Sequence, residues 1–229
     1  QNRTKMILKQ FDSQKKLEKK LAKYIINIIL NSIETRGTSN ILLSGGSTPL
    51  NLYKTLGSYE INWSKVNIGL VDERFVPVNS EFNNHSKIKG SLNKNSSMEI
   101  DVLPMVLNDS DFEENLKHLT LTYNPFFSYI DFCLLGMGED GHTASIFPND
   151  PESIKLISDT NKNIGPAYAP NHPTRRISCN KTMLSSSTNN ALMILGKKKL
   201  KILQNSIDKG LPISEFSGVK NELNVYYTE

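Results

Sequence analysis

The chain has 229 residues, a length that accommodates one α/β domain, which we expect to span residues 1–229. Its formal net charge of +4 comes from lysines spread along the chain, and their runs lack the interleaved aromatic side chains of a nucleic-acid-binding surface. No apolar run approaches the roughly eighteen residues of a membrane span. Two isolated cysteines fit reduced thiols. We therefore expect a cytoplasmic protein that binds neither nucleic acid nor a membrane.

Alternating helical and strand patterns predict an α/β fold. A first helix is indicated by apolar residues at helical spacing, such as Leu17, Leu21 and Ile25. Further helices are expected near residues 50–56, 111–123 and 197–207, and strands at residues 40–44, 66–71, 131–135, 176–180 and 191–195. Residues 225–227 would close an edge, whereas residues 79–97 resemble an irregular surface excursion. This order predicts an open, mostly parallel sheet flanked by helices on both faces, a Rossmann-like three-layer sandwich.

The segment ILLSGGSTP, residues 41–49, places a glycine pair and two hydroxyls after a buried strand. Gly45 and Gly46 end the strand, and Pro49 suits the first turn of a following helix. Free amides at such a helix start, together with the hydroxyls of Ser47 and Thr48, form an anion site that suits phosphate. An ordinary strand-to-helix turn with Thr48 as N-cap would need only one hydroxyl.

Charged residues end the next strand, in VNIGLVDERFVP at residues 66–77. Such charges are often solvated loop residues, so this motif alone leaves a functional and a structural role equally open. Asp72 could hold a histidine in one tautomer, and Arg74 could stabilise an oxyanion.

The segment GMGEDGHTASIFP, residues 136–148, sets Asp140 and His142 in a glycine-rich turn after an apolar strand. Glycines let backbone approach a ligand closely, and histidine is the side chain best suited to moving a proton near neutral pH. The turn also spells G-x-G-x-x-G, but Pro148 and Pro151 preclude the long helix of a dinucleotide site. A tight turn with a hydrogen-bonded histidine is the structural alternative.

All three motifs follow strands, and in open α/β sheets ligands bind beyond the carboxyl ends of the strands. We therefore expect Asp72, Asp140, His142 and the residues Gly45 to Thr48 to meet at one rim of a single sheet. We expect no metal site, because the four histidines are scattered and each cysteine stands alone.

GGSTP, DERFVP and GxGxDGHTASIFP, in this order and spacing, closely resemble the 6-phosphogluconolactonase family. The wider group includes glucosamine-6-phosphate deaminases and ribose-5-phosphate isomerases. The resemblance runs from about Phe11 to the C-terminus. The DGHTAS segment followed by Phe-Pro is highly specific, whereas GGSTP is shared across the wider group.

The resemblance implies roles for residues at matching positions. The phosphate would be held by the GGST loop, by Arg176 of RRIS and by a lysine of a G-x-x-K element, Lys199, with Lys197 and Lys198 as alternatives. His142 would be the general base and Arg74 its neighbour. Asp72 and Asp140 would be orienting acids.

Two positions depart from the family pattern without removing a catalytic group. Asn83-Asn84 stands where members usually show Ser-Asn, so that only Asn84 matches a substrate contact. Asn149 replaces a common glycine, which is tolerable because asparagine adopts left-handed conformations more readily than most residues.

The implied activity is hydrolysis of 6-phospho-D-glucono-1,5-lactone to 6-phosphogluconate, without cofactor or metal. Members occur fused to glucose-6-phosphate dehydrogenase, so a fused or associated dehydrogenase is a candidate partner. Three other functions would use part of this pattern.

A glucosamine-6-phosphate deaminase would carry a segment like DEY where this chain has DER. A serine hydrolase using Ser47 would need a nucleophile elbow, whose final glycine is absent here. A non-catalytic sugar-phosphate-binding module would need neither His142 nor Arg74.

Overall fold

A computed structural model of the chain describes residues 4–229 and contains a six-stranded, all-parallel sheet. In chain order its strands are β1 (Lys5–Gln10), β2 (Ser39–Leu43), β3 (Val66–Leu70), β5 (Phe132–Leu135), β8 (Asn189–Leu195) and β9 (Glu222–Thr228). Their order across the sheet is β1-β9-β8-β5-β2-β3, with every pair parallel. The central strands β2 and β5 are buried along their whole length, as expected where both faces are covered. The predicted α/β class with a mostly parallel sheet is confirmed.

Three short strands form a second, antiparallel sheet that the sequence pattern did not predict. These are β4 (Asp72–Arg74), β6 (Ile164–Tyr168) and β7 (Arg175–Cys179), in the order β4-β7-β6. The prediction that residues 176–180 join the main sheet is therefore wrong. Residues 169–174, which connect β6 to β7, are too few for the crossover of a dozen or more residues that a parallel neighbour requires.

Eight α-helices lie in the described part of the chain. They are α1 (Gln14–Arg36), α2 (Leu50–Gly57), α3 (Asn84–Asn93), α4 (Phe112–Thr122), α5 (Asn124–Ser128), α6 (Pro151–Ser158), α7 (Lys181–Ser185) and α8 (Lys197–Gln204). The longest, α1, begins where Ser13 accepts a hydrogen bond from the Lys16 N–H and ends at Gly37, whose φ of 85° suits glycine. It buries Leu17, Leu21 and Ile25, as its pattern predicts. None of the helices in residues 4–229 is long and apolar enough to cross a membrane.

Two further predictions need correction. Residues 79–97 are only partly irregular, because residues 84–93 form α3, whose N-cap Asn83 accepts from the Ser86 N–H at 2.8 Å. Ile88 and Leu92 of α3 are fully buried. Residues 225–227 belong to β9, which is not an edge strand, since β1 pairs alongside it from Lys5↔Glu222 onward.

Candidate active site

A cavity of about 290 Å³ opens at the carboxyl ends of β2, β5 and β8. It is lined by residues of all three motifs, namely Gly45, Gly46, Ser47, Thr48, Asp72, Arg74 and His142. Three further residues expected at the site also line it, namely Asn84, Arg176 and Lys199. Asp140 stands behind His142 and is the predicted site residue that does not line the cavity. The expectation of one rim of a single sheet is wrong in part, because Asp72, Arg74 and Arg176 belong to the antiparallel sheet. The cavity therefore lies between residues that follow strands of the parallel sheet and residues of the antiparallel sheet.

The GGST loop presents unpaired donors to the cavity. Gly46 has a φ of 85°, a left-handed conformation that favours glycine. The backbone N–H groups of Gly46, Ser47 and Thr48 donate no hydrogen bond to any residue of the described chain. The N-cap of α2 is Pro49 and has no side-chain cap bond, so Thr48 does not serve as an N-cap. Free amides and hydroxyls at a helix start can bind a phosphate.

Arg74 and Arg176 lie side by side, as partners in the antiparallel pairing of β4 with β7. The Arg176 Nε–H donates to the Pro173 carbonyl at 2.7 Å, and Arg74 Nη1 donates to the Phe82 carbonyl at 2.9 Å. Neither guanidinium has a carboxylate within ion-pair distance among residues 4–229. Burial lowers the pKa of Arg176, and the nearby Asp72 charge opposes that change. A buried cation without a paired carboxylate favours binding of an anion.

The imidazole of His142 is oriented by Asp140. Nδ1 lies 2.5 Å from Asp140 Oδ1, and the same oxygen accepts from the His142 backbone N–H at 3.0 Å. Burial raises the pKa of Asp140, but the hydrogen bonds from His142 outweigh it and leave the pKa below its ordinary value. The ring packs on Phe147 at 4.7 Å between centroids. A Cβ at Gly138 would lie 2.0 Å from His142 Cε1, so glycine is needed for this close approach.

Asp72 does not orient the histidine, which corrects one expected role. Its Oδ2 accepts from Ser145 Oγ at 2.6 Å, and Ser145 N donates to Ser178 Oγ at 3.2 Å. Both serines are fully buried. Asp72 therefore ties the DGHTAS segment to β4, and the Ser145 N–H ties the same segment to β7. Asp72 also lines the cavity.

Three consecutive lysines begin α8, and the structure separates them. Lys197 pairs with Glu229 at 3.2 Å, and Lys198 pairs with Glu139 at 2.7 Å. Lys199 lines the cavity and donates to the Met137 carbonyl. Burial lowers its pKa, with the acidic groups Glu139 and Asp140 opposing that change. Lys199 is thus the lysine available to a ligand in the cavity.

Several residues at the cavity were not named from the sequence. Ser44, the residue after β2, lines the floor, and its carbonyl accepts a hydrogen bond from the Tyr53 hydroxyl. The end of β8, Met193 to Leu195, lines another wall. Their positions at the carboxyl ends of strands could have revealed them, because that is where the other site residues lie. No cluster of three or more His, Cys, Asp or Glu side chains in residues 4–229 is arranged to hold a metal ion.

The fold and the cavity define an α/β protein with a basic cavity bordered by a histidine that an aspartate orients. The model of the glucosamine-6-phosphate isomerases/6-phosphogluconolactonase family matches residues 12–224. The chain belongs to this family, which confirms the resemblance drawn from the three motifs.

Individual relatives agree with this assignment. The 6-phosphogluconolactonase of Xylella fastidiosa (strain 9a5c) is 31% identical over 218 residues, covering 90% of this chain and 87% of the relative. The crystal structure of a 6-phosphogluconolactonase from Shewanella baltica OS155 superposes with a TM-score of 0.86 at 27% identity, covering 98% of both chains. The Thermotoga maritima 6-phosphogluconolactonase, at 22% identity and a TM-score of 0.83, shows the same fold over 98% of this chain and 100% of its own.

Proposed function

We propose that this protein hydrolyses 6-phospho-D-glucono-1,5-lactone to 6-phosphogluconate, a step of the oxidative branch of the pentose phosphate pathway. One observation carries the proposal: a single cavity is lined by a histidine that Asp140 orients from behind and by two arginines that lack carboxylate partners in the described chain. Lactone hydrolysis requires a base that takes a proton from water, a positive group that stabilises the oxyanion, and residues that bind the substrate phosphate. The names of the relatives support the same reaction.

The substrate phosphate is assigned to the basic end of the cavity. The free amides of the GGST loop and the hydroxyls of Ser47 and Thr48 would bind its oxygens. Arg176 offers a planar guanidinium fork and Lys199 a point charge. Asn84, which also lines the cavity, is assigned to a sugar hydroxyl. This grip would place the lactone carbonyl toward His142.

His142 is assigned the role of general base. Because the pKa of Asp140 lies below its ordinary value, its carboxylate is ionised and accepts the Nδ1–H, which leaves the lone pair on Nε2. Nε2 takes a proton from water as the water oxygen bonds to the carbonyl carbon, and Arg74 stabilises the resulting oxyanion. When the oxyanion collapses, the bond to the ring oxygen breaks, and the imidazolium returns its proton to that oxygen. The new carboxylic acid then releases a proton to solvent.

Proton release from freshly prepared 6-phosphogluconolactone tests this function. We expect release well above the spontaneous rate, with glucosamine 6-phosphate yielding no ammonia. Ammonia from glucosamine 6-phosphate would instead favour the deaminase-like alternative, which the family's description also includes. Binding of both compounds without turnover would favour a non-catalytic sugar-phosphate-binding module.

The proposed substrate implies a supplier and a compartment. A lactone of this kind arises by oxidation of a sugar 6-phosphate at C1, so we propose that a glucose-6-phosphate dehydrogenase, fused or associated, delivers it. We place the protein in the cytoplasm, since the buried, unpaired Cys133 and Cys179 suit a reducing compartment. Co-purification of dehydrogenase activity with the protein from its native source would test the association.

A further inference from the structure

Glu73 lies between two site residues but points away from the cavity. In β4 the side chains alternate, so Asp72 and Arg74 border the cavity while Glu73 faces the opposite side. Its side chain is fully buried, with 0% exposure. A buried carboxylate needs hydrogen-bond donors, and Glu73 finds them in the backbone.

The Glu73 carboxylate accepts three backbone N–H groups. Oε1 accepts from Arg74 at 2.8 Å and from Asn84 at 2.9 Å, and Oε2 accepts from His85 at 2.9 Å. Asn84 and His85 are the first residues of α3, where free N–H groups favour a negative charge. One oxygen thus binds the main chain of two residues that line the cavity.

Asn84 connects the Glu73 carboxylate to the GGST loop. The Asn84 side chain packs so closely on Gly45 that a Cβ there would lie 2.2 Å from Oδ1. Its Nδ2 donates to the Asp72 carbonyl at 3.4 Å. A shift of the α3 start would therefore displace Asn84 against the GGST loop.

We propose that Glu73 is a positioning residue for the reaction, whose ionised carboxylate fixes Arg74 and Asn84 relative to the GGST loop. The inference rests on the proposed lactonase function. Glu73 touches neither the cavity nor the substrate in this scheme. It acts through the two residues whose amides it holds.

Protonation of Glu73 would weaken this arrangement. Oε1 already accepts two N–H groups, so a proton would go to Oε2 and weaken the hydrogen bond from the His85 amide, since a hydroxyl oxygen is a poorer acceptor than a carboxylate oxygen. The charged and titratable groups around Glu73 are its neighbours Asp72 and Arg74 on β4, Arg176 on β7 and Tyr123 after α4. Burial raises the pKa of Glu73 to about 7, and the Asp72 charge adds a smaller increase. The three backbone hydrogen bonds lower the pKa but do not offset the burial. The carboxylate therefore changes its charge near neutral pH.

Glu73→Gln tests the proposal, with Glu81→Gln as a control because Glu81 is exposed in the preceding loop. Misplacement of site residues by about 1 Å costs roughly 10²-fold, so we expect kcat/KM of Glu73→Gln to fall by about 10- to 10²-fold. The acid limb of log(kcat/KM) against pH should become shallower by up to one proton, since the glutamine amide does not titrate. The Glu81→Gln control should have the same kcat/KM as the unmutated protein and the same slope of the acid limb. An unchanged rate and slope in a folded Glu73→Gln protein would overturn the positioning role.

The unmutated protein offers a second measurement in case the variant does not fold. Backbone ¹H–¹⁵N shifts of Arg74, Asn84 and His85 should titrate together with one midpoint near 7. Independent titration of the three amides, or none, would contradict the proposal. The proposed function fails separately, if the parent protein does not hydrolyse the lactone at all.

Discussion

One ring nitrogen of His142 is hydrogen-bonded to Asp140, and the ring itself borders the cavity. Replacing it by asparagine keeps a polar side chain of similar size that cannot take a proton. We expect His142→Asn to lower kcat by roughly 10²- to 10⁴-fold with little change in KM, because the phosphate grip is untouched.

Steady-state kinetics with fresh lactone measure this effect. A His142→Asn protein with near-full kcat would mean that the histidine only shapes the turn. The proton would then have to go to Asp72 or Asp140.

Arg176 and its neighbour Arg175 form a matched pair for testing phosphate binding. Arg176 is buried at the cavity, whereas Arg175 is exposed and stacks on Phe112 at 3.9 Å. We expect Arg176→Ala to raise KM strongly and Arg176→Lys to recover only part of the loss, because ammonium lacks the guanidinium fork. Arg175→Ala should leave KM unchanged. Equal affinity of the parent for phosphorylated and unphosphorylated lactones would refute the assignment.

At the level of secondary-structure elements, two glycines should respond oppositely to alanine. Gly90 lies in α3, and no atom lies within 4 Å of the position that a Cβ would take there, so Gly90→Ala should stabilise the helix by about 0.5–1 kcal/mol and leave activity unchanged. Gly138→Ala would place its Cβ against His142 and should lower kcat markedly. Chemical denaturation and lactone kinetics measure both effects. Full activity in Gly138→Ala would show that the turn can move away from the histidine.

The elements predicted correctly are those with a strong periodic pattern. The apolar stripe of α1 and the buried runs of β2, β3 and β5 depend on local sequence alone, and the structure confirms them within a residue or two. The site residues could be proposed because loops at the carboxyl ends of such strands share one region of space. The left-handed φ of 64° at Asn149 also agrees with the interpretation of that substitution.

The antiparallel sheet could not be predicted because only β7 among its strands was recognised, at residues 176–180, while β4 and β6 were not. β4 is only three residues long and wholly charged, and it forms by pairing with β7 about a hundred residues later in the chain, at Asp72↔Ser178. α3 was missed for a related reason. Its polar sequence, NHSKIKGSLN, shows few apolar positions, and its start is fixed by Asn83 and by the distant Glu73.

At the scale of the whole molecule, a single domain is expected to unfold in one cooperative step. The two sheets are joined by the Val71 N–H to the Leu43 carbonyl at 3.0 Å and by the Cys179 N–H to the Val71 carbonyl at 2.9 Å. The buried apolar residues of both sheets form one continuous cluster. We therefore expect one cooperative thermal transition, with circular dichroism and tryptophan fluorescence giving the same midpoint. Two separated transitions would argue for two independently stable parts.

The pairing of β1 with β9 has a consequence for synthesis on the ribosome. The first strand of the described chain lies beside the last, from Lys5↔Glu222 to Gln10↔Tyr227, so its hydrogen-bonding partner is translated after all the other strands of the sheet. Until then the nascent chain carries an unpaired strand with an exposed Leu8. Contacts between such distant residues also slow folding. A ribosome that stalls before β9 would hold a chain that contains every proposed catalytic residue and still lacks the strand that completes its sheet.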